Sequence, residues 1–221
     1  MKFKSTRLYA RKSNSSRLMY KLFITFILGT ASHLMFTENI KADNLFQFFE
    51  DKYYLETNFI QTTSVNSKDR QIRGKIYATR SGNFKIEYLD PIKEIISADD
   101  SFLYKLDIEL EQLDIVPREQ YFKDTPINLF ITEIENLSEL YGVESCLNDA
   151  ESVICSIKIK DEDSFVEKLF LKFYLDELTE LSYLDSFGQS VSLKFDQMSW
   201  EKFNEEKLFI QPPEGIDVVY H

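Results

Sequence analysis

The chain has 221 residues and a formal net charge of −11, from 37 Asp and Glu against 26 Lys and Arg. A surface that acidic repels phosphate backbones and anionic lipid head groups, which excludes nucleic acid as a partner. Nineteen Phe and twelve Tyr in so short a chain exclude disorder and call for one domain with a substantial core.

Residues 1–42 read as a segment apart from the fold. Lys2, Lys4, Arg7, Arg11, Lys12, Arg17 and Lys21 form a basic leader with no acid among them. An apolar run from Leu22 to Phe36 follows, interrupted by Gly29, Thr30 and His33, and a polar stretch ends at Ile40-Lys41-Ala42. That order, with a small residue at the cut, is the order of a secretory signal peptide. Met19–Ala42 alone would also make a conventional one. A membrane span needs roughly 20 apolar residues, and this run is shorter and broken by polar side chains. The expectation is cleavage near Ala42 and a mature domain, 43–221, free of the membrane, with no cysteine beside the cut to carry a lipid anchor. Cleavage removes eight of the 26 basic residues and one of the 37 acidic ones, leaving 18 against 36, a formal charge of −18.

Leu45, Phe48, Phe49 and Tyr53 recur at helical spacing, so Asp43 to about Leu55 is predicted as an amphipathic helix with Asp43 near its N-cap. The period then changes to two. Ile72-x-Gly74-x-Ile76-x-Ala78, Phe84-x-Ile86-x-Tyr88, Val153-x-Cys155-x-Ile157-x-Ile159, Leu169-x-Leu171-x-Phe173 and Val191-x-Leu193-x-Phe195 each alternate with polar or charged residues. Each is predicted as a strand with one wet face, as in an antiparallel sheet. Turn residues separate them at 80–83, Asp90-Pro91, Asp99-Asp100, Asn148-Asp149 and 186–189. One helical interruption is predicted, with Thr125 as N-cap, Pro126 at its first position and Ile127, Ile131, Ile134, Leu137 and Tyr141 as its stripe, breaking into two near Asn136. If Asp149–Ser152 is a turn, Cys146 faces Cys155, and either a cross-strand disulfide or two buried thiols fits. The last strand is expected to end at Phe209-Ile210, stopped by Pro212-Pro213. The layout is a large antiparallel sheet, closed or nearly so, with apolar helices over its concave side.

Reactive chemistry is sparse. The two histidines are His33, inside the leader, and His221, the last residue, so no Ser-His-Asp or Cys-His arrangement and no histidine zinc site is available to the mature domain. Six glycines form no phosphate loop or dinucleotide fingerprint. Asp161-Glu162-Asp163 lacks the spacing of an EF-hand. The expectation is a protein that is not an enzyme, with no catalytic residues, metal or cofactor.

Seven segments in order resemble the LolA family, periplasmic carriers of outer-membrane lipoproteins. They are Asn58-Phe-Ile-Gln61, Arg80 through Pro91, Ala98 through Asp107, Glu109 through Gln112, Thr125-Pro-Ile-Asn-Leu-Phe130, Asp185 through Gln189 and Phe209 through Val218. Ser81 departs from the family's usual Pro, Glu87-Tyr88 reverse its usual aromatic-acid order, and the stretch around Cys146–Cys155 is extra length. The resemblance implies an unclosed antiparallel β-barrel capped by an N-terminal helix and two central helices, enclosing a hydrophobic cavity. Arg80 would latch the lid helices to the barrel, although on its own pattern it reads as an exposed arginine on a hairpin. Phe48, Phe59, Phe84, Ile86, Tyr88, Phe102, Ile127, Phe130 and Ile131 would line an acyl-chain cavity. A monomer in the periplasm would take acylated lipoproteins from an inner-membrane ABC-type release complex and deliver them to the outer membrane or a receptor there. The alternative is a periplasmic carrier of free lipid or another small apolar ligand.

Overall fold

The computed structural model describes residues 40–118 and 125–221. The basic leader and the apolar run of the predicted signal peptide lie outside them. From Tyr54 onward, side chains alternate between a buried and a wet face, and the strands they form pair into one twelve-stranded sheet among the described residues. The strands are β1 (Tyr54–Val65), β2 (Lys68–Thr79), β3 (Phe84–Asp90), β4 (Glu94–Ala98), β5 (Phe102–Asp107), β6 (Gln112–Pro117), β7 (Tyr141–Asp149), β8 (Ser152–Ile159), β9 (Val166–Tyr174), β10 (Glu177–Asp185), β11 (Ser190–Ser199) and β12 (Asp217–Tyr220). Their order is β12-β6-β5-β4-β3-β2-β1-β11-β10-β9-β8-β7, so β7 and β12 are edges and the sheet is unclosed. Pairing is antiparallel except at β12, which lies parallel to β6. No helix among the described residues is long and apolar enough to cross a membrane.

The core follows from the inward rows. Leu55 and Phe59 of β1, Ile76 and Ala78 of β2, Phe84 of β3, and Leu169, Leu171 and Phe173 of β9 form one buried cluster with the helices. Phe59 pairs with Gly74 across β1 and β2. A Cβ at Gly74 would overlap the Phe59 ring and the Glu87 carbonyl, so glycine is required where the ring crosses the neighbouring backbone. A second cluster, Leu106, Leu113 and Ile115 with Ile95, Ile210 and Ile216, lies under the C-terminal segment. There the Ser97 hydroxyl donates to the Leu208 carbonyl at 2.6 Å.

Three helices close over the first cluster. A 3-10 helix spans Ala42–Phe49, α1 spans Asn128–Ile131 and α2 spans Ile134–Leu140. The first buries Leu45 and Phe49, α1 buries Leu129, Phe130 and Ile131, and α2 buries Leu137. Ile40, just ahead of the first helix, is buried in the same cluster.

Several boundaries differ from those expected. The N-terminal helix ends at Phe49 because Leu55, Thr57 and Phe59 already alternate inward on β1. Its start is held by the Lys41 N–H donating to Asn44 Oδ1 at 2.6 Å, with Lys41 at the N-cap rather than Asp43. Thr125 and Pro126 form a turn, with the Asn128 N–H donating to the Thr125 carbonyl at 3.0 Å, and the helix begins only at Asn128. The break between the central helices falls at Thr132-Glu133, where the backbone turns extended, not at Asn136. Tyr141 opens β7 rather than ending a helix. Phe209-Ile210 is not a strand; β11 ends at Ser199, a second 3-10 helix spans Glu205–Leu208, and β12 follows the two prolines.

Candidate functional site

The turn between β2 and β3 is tied by the Thr79 N–H to the Asn83 carbonyl at 2.9 Å and the Gly82 N–H to the Thr79 carbonyl at 3.0 Å. It presents Arg80, whose backbone N–H donates to the Tyr53 carbonyl at 3.0 Å. The side chain turns inward and is only 4% exposed. Its Nε donates to the Lys52 carbonyl at 3.1 Å, just after the first helix. Its Nη1 donates to the Leu129 carbonyl at 2.6 Å and the Thr132 carbonyl at 2.9 Å. The last carbonyls of a helix have no partner within it, and the planar guanidinium supplies several donors at once.

Among the described residues, Arg80 thus binds carbonyls rather than a carboxylate. Its guanidinium carbon stands 5.2 Å from the centre of the Phe49 ring, and Nη2 is buried without a hydrogen-bond partner. Burial lowers its pKa to about 10, against which the nearby Tyr141 acts, so it stays protonated at neutral pH. A desolvated cation on neutral acceptors makes a contact that is specific and only modestly favourable in net terms.

Beneath α1 lies an apolar pocket of about 220 Å³. Phe84, Ile86 and Tyr88 of β3 line one side, and Ile127 and Phe130 form part of the roof. The pocket also takes in residues that the sequence did not single out as site residues, notably Gln61, Phe165, Leu181, Tyr183 and Phe195. Phe195 and Leu193 belong to a strand legible from its alternation, but which inward residue meets a void depends on where the lid stops. Burial pushes the Tyr88 hydroxyl up to about 12, with Glu94 and Tyr183 nearby adding to it. At about 220 Å³ the pocket is smaller than the roughly 300–1,000 Å³ of most ligand pockets.

The other residues expected at a cavity stand elsewhere. Phe48 packs edge-on against Phe49, Phe173 and Trp200, with ring centres 4.9, 5.0 and 6.0 Å apart. Phe59 is 2% exposed in the core, edge-on to Tyr88 at 5.8 Å. Ile131 is buried within α1. Phe102 is 42% exposed at the start of β5, outside the pocket, because the tight turn at 99–101 places it at the sheet's rim. Cys146 and Cys155 pair across β7 and β8 and are joined by a disulfide, away from the pocket lining. Among the described residues, no three His, Cys, Asp or Glu side chains are grouped so as to hold a metal ion.

Comparison with known proteins places the chain in a family. A family model described as outer membrane lipoprotein carrier protein LolA matches residues 53–210. The outer-membrane lipoprotein carrier protein of Hahella chejuensis is 28% identical over 205 residues, covering 91% of this chain and 97% of the relative. That of Legionella pneumophila is 26% identical over 205 residues, covering 91% and 99%. Among solved structures, an uncharacterized conserved protein from Thermus thermophilus superposes with a TM-score of 0.53 at 13% identity, covering 81% of this chain and 98% of the other, a likeness of fold.

Proposed function

The chain belongs to the LolA family, and we propose that it is a periplasmic chaperone that accepts acylated lipoproteins from an inner-membrane ABC-type release complex and shuttles them to the outer membrane. The observation that carries this reading is an apolar pocket roofed in part by α1, which Arg80 ties to the sheet through the Leu129 and Thr132 carbonyls. A triacylated lipoprotein carries on the order of 45 methylenes, and at ~0.8 kcal/mol each their exposure to water costs over ~30 kcal/mol. No such molecule crosses an aqueous compartment without a partner that covers its chains.

The carrier must also release them. A lid held by hydrogen bonds to neutral carbonyls sits within a few kcal/mol of an open state, so loading shifts an existing equilibrium rather than unfolding a core. Three acyl chains do not fit about 220 Å³, so loading displaces α1 and α2. The basic leader and the apolar run within residues 1–42 act as the export signal, and delivery goes to the outer membrane or a receptor in it.

A second reading is favoured by the same volume: a pocket this small suits one free lipid chain or another small apolar ligand without lid movement. Depletion of the protein in the cell, followed by tracking a tagged outer-membrane lipoprotein, separates the two. Retention of the tagged lipoprotein at the inner membrane supports the lipoprotein carrier. Normal sorting with altered free-lipid content supports the alternative.

A further inference from the structure

Arg80 can reach the lid only while its turn is held in place, and a second arginine grips that turn. Arg118 directly follows β6. Its Nη2 donates to the Gly82 carbonyl at 2.8 Å and its Nη1 to the Asp99 carbonyl at 2.6 Å. We propose that Arg118 is a positioning residue of the lid, which fixes the β2–β3 turn so that Arg80 meets the helix-end carbonyls. This deepens the carrier reading and takes its functional meaning from it.

The support is built from both sides. The Arg118 backbone N–H donates to the Ser101 carbonyl at 3.0 Å, so the residue is anchored to the β4–β5 turn before its side chain reaches across. In that turn Asp99 Oδ1 accepts from the Ser101 and Phe102 N–H groups, both at 2.8 Å, and Oδ2 accepts from the Tyr104 hydroxyl at 2.8 Å. Burial pushes the Asp99 carboxyl up, but those donors and the Arg118 charge outweigh it and hold the group below the usual range. The platform is therefore ordered and charged at neutral pH.

Gly82 matches the arginine on the other side. Its φ is +101°, and a Cβ built there would stand 3.2 Å from Arg118 Nη2. Bare backbone lets the guanidinium lie against the turn. One planar fork spans carbonyls from two turns, whereas the single ammonium of lysine does not reproduce that bidentate geometry. Arg118 and Arg80 thus act in series: the sheet grips the turn, and the turn grips the lid.

Hydrogen exchange and the emission of Trp200 test this on purified protein without cargo. Trp200 is the sole tryptophan, and its ring lies 6.4 Å from that of Phe130 on α1, so lid displacement changes its surroundings. Arg118→Gln is expected to speed amide exchange in residues 128–140 at least several-fold, to leave β8 to β11 unchanged and to shift Trp200 emission to the red. Arg118→Lys should fall between, and Arg80→Leu should reproduce the pattern. Arg118→Lys, which keeps the charge but not the bidentate reach to the Gly82 and Asp99 carbonyls, decides the matter if Arg118→Gln does not fold. Unchanged exchange over 128–140, or an equal acceleration throughout the sheet, overturns the proposal. No lipoprotein enters the assay, so its failure leaves the carrier reading standing, and failure of that reading leaves this result intact.

Discussion

Arg80 Nη1 donates to the Leu129 carbonyl at 2.6 Å, joining a hairpin turn to the last turn of a four-residue helix 49 positions further along the chain. So short a helix has no stability of its own. Its place depends on Phe130 and Ile131 below it and on this guanidinium at its end.

Arg80→Leu should therefore loosen the lid and spare the sheet. Hydrogen bonds from a charged donor contribute about 1.5–3 kcal/mol each, but the buried, partly unpartnered guanidinium offsets much of that. A net loss of about 1–3 kcal/mol, or roughly 3–10 °C in Tm, is expected. Circular dichroism should be unchanged while transfer of lipoprotein between membranes is impaired. Transfer at the unmodified rate would remove Arg80 from the mechanism.

Filling the pocket should block its ligand. Ile86→Trp places an indole in a space of about 220 Å³ and should cost no more than about 1–3 kcal/mol. It is expected to abolish binding of a fluorescent fatty acid. Phe102→Ala, at an exposed position outside the pocket, should bind as before. Equal affinity in the two variants would place the ligand elsewhere.

The disulfide should matter to stability and not to transport. Cys146 and Cys155 are nine positions apart on the edge hairpin, and closing so short a loop contributes about 2–3 kcal/mol by chain entropy. Reduction should lower Tm by roughly 5–10 °C with lipid binding retained. An identical Tm for oxidised and reduced protein would show that the hairpin's hydrogen bonds alone hold that edge.

Alkaline pH should weaken the folded state through Tyr88. Burial raises its pKa to about 12, while in the unfolded chain a tyrosine ionises near pH ~10. A raised folded pKa contributes stability that is fully present below pH ~10 and is lost as pH rises toward about 12. Tyr88→Phe should lose less stability than the natural protein between pH 10 and 12, by on the order of 2 kcal/mol. Denaturation curves at the two pH values measure it; parallel losses in both proteins would assign the effect to other groups.

How much of this was legible depended on which faces of the sheet meet water. Strands β2, β3, β8, β9 and β11 have clear period-two rows because one side is wet, and the pairing of Cys146 with Cys155 followed from the turn between them. Strands β4 to β6 hide their period because the C-terminal segment covers them: Ile95 packs under Ile210 in one cluster while Ile96 packs into the other. The strand after Pro212-Pro213 escaped notice for a related reason. It pairs parallel with β6 from far along the chain, which no local pattern announces. The first helix looked longer because Tyr53 fits a helical stripe, whereas β1 begins at the next residue.

The site was less legible than the fold. Arg80 was reached through family resemblance, since a lone arginine in Thr79-Arg-Ser-Gly-Asn83 carries no sign of burial. Phe84, Ile86, Tyr88, Ile127 and Phe130 surround the pocket, but Phe102 shares their alternation and points to the rim. Arg118 carries no local signal, because the side-chain partners it meets among the described residues are carbonyls 19 and 36 residues away.

Mass spectrometry of what co-purifies with this protein from the periplasm identifies its cargo. The protein, purified without detergent, is expected to carry N-terminal lipoprotein peptides bearing acylated cysteine, and Arg80→Leu is expected to change their amount. Recovery of free phospholipid or fatty acid alone, with no acylated peptide in either preparation, would show that lipoproteins are not its cargo.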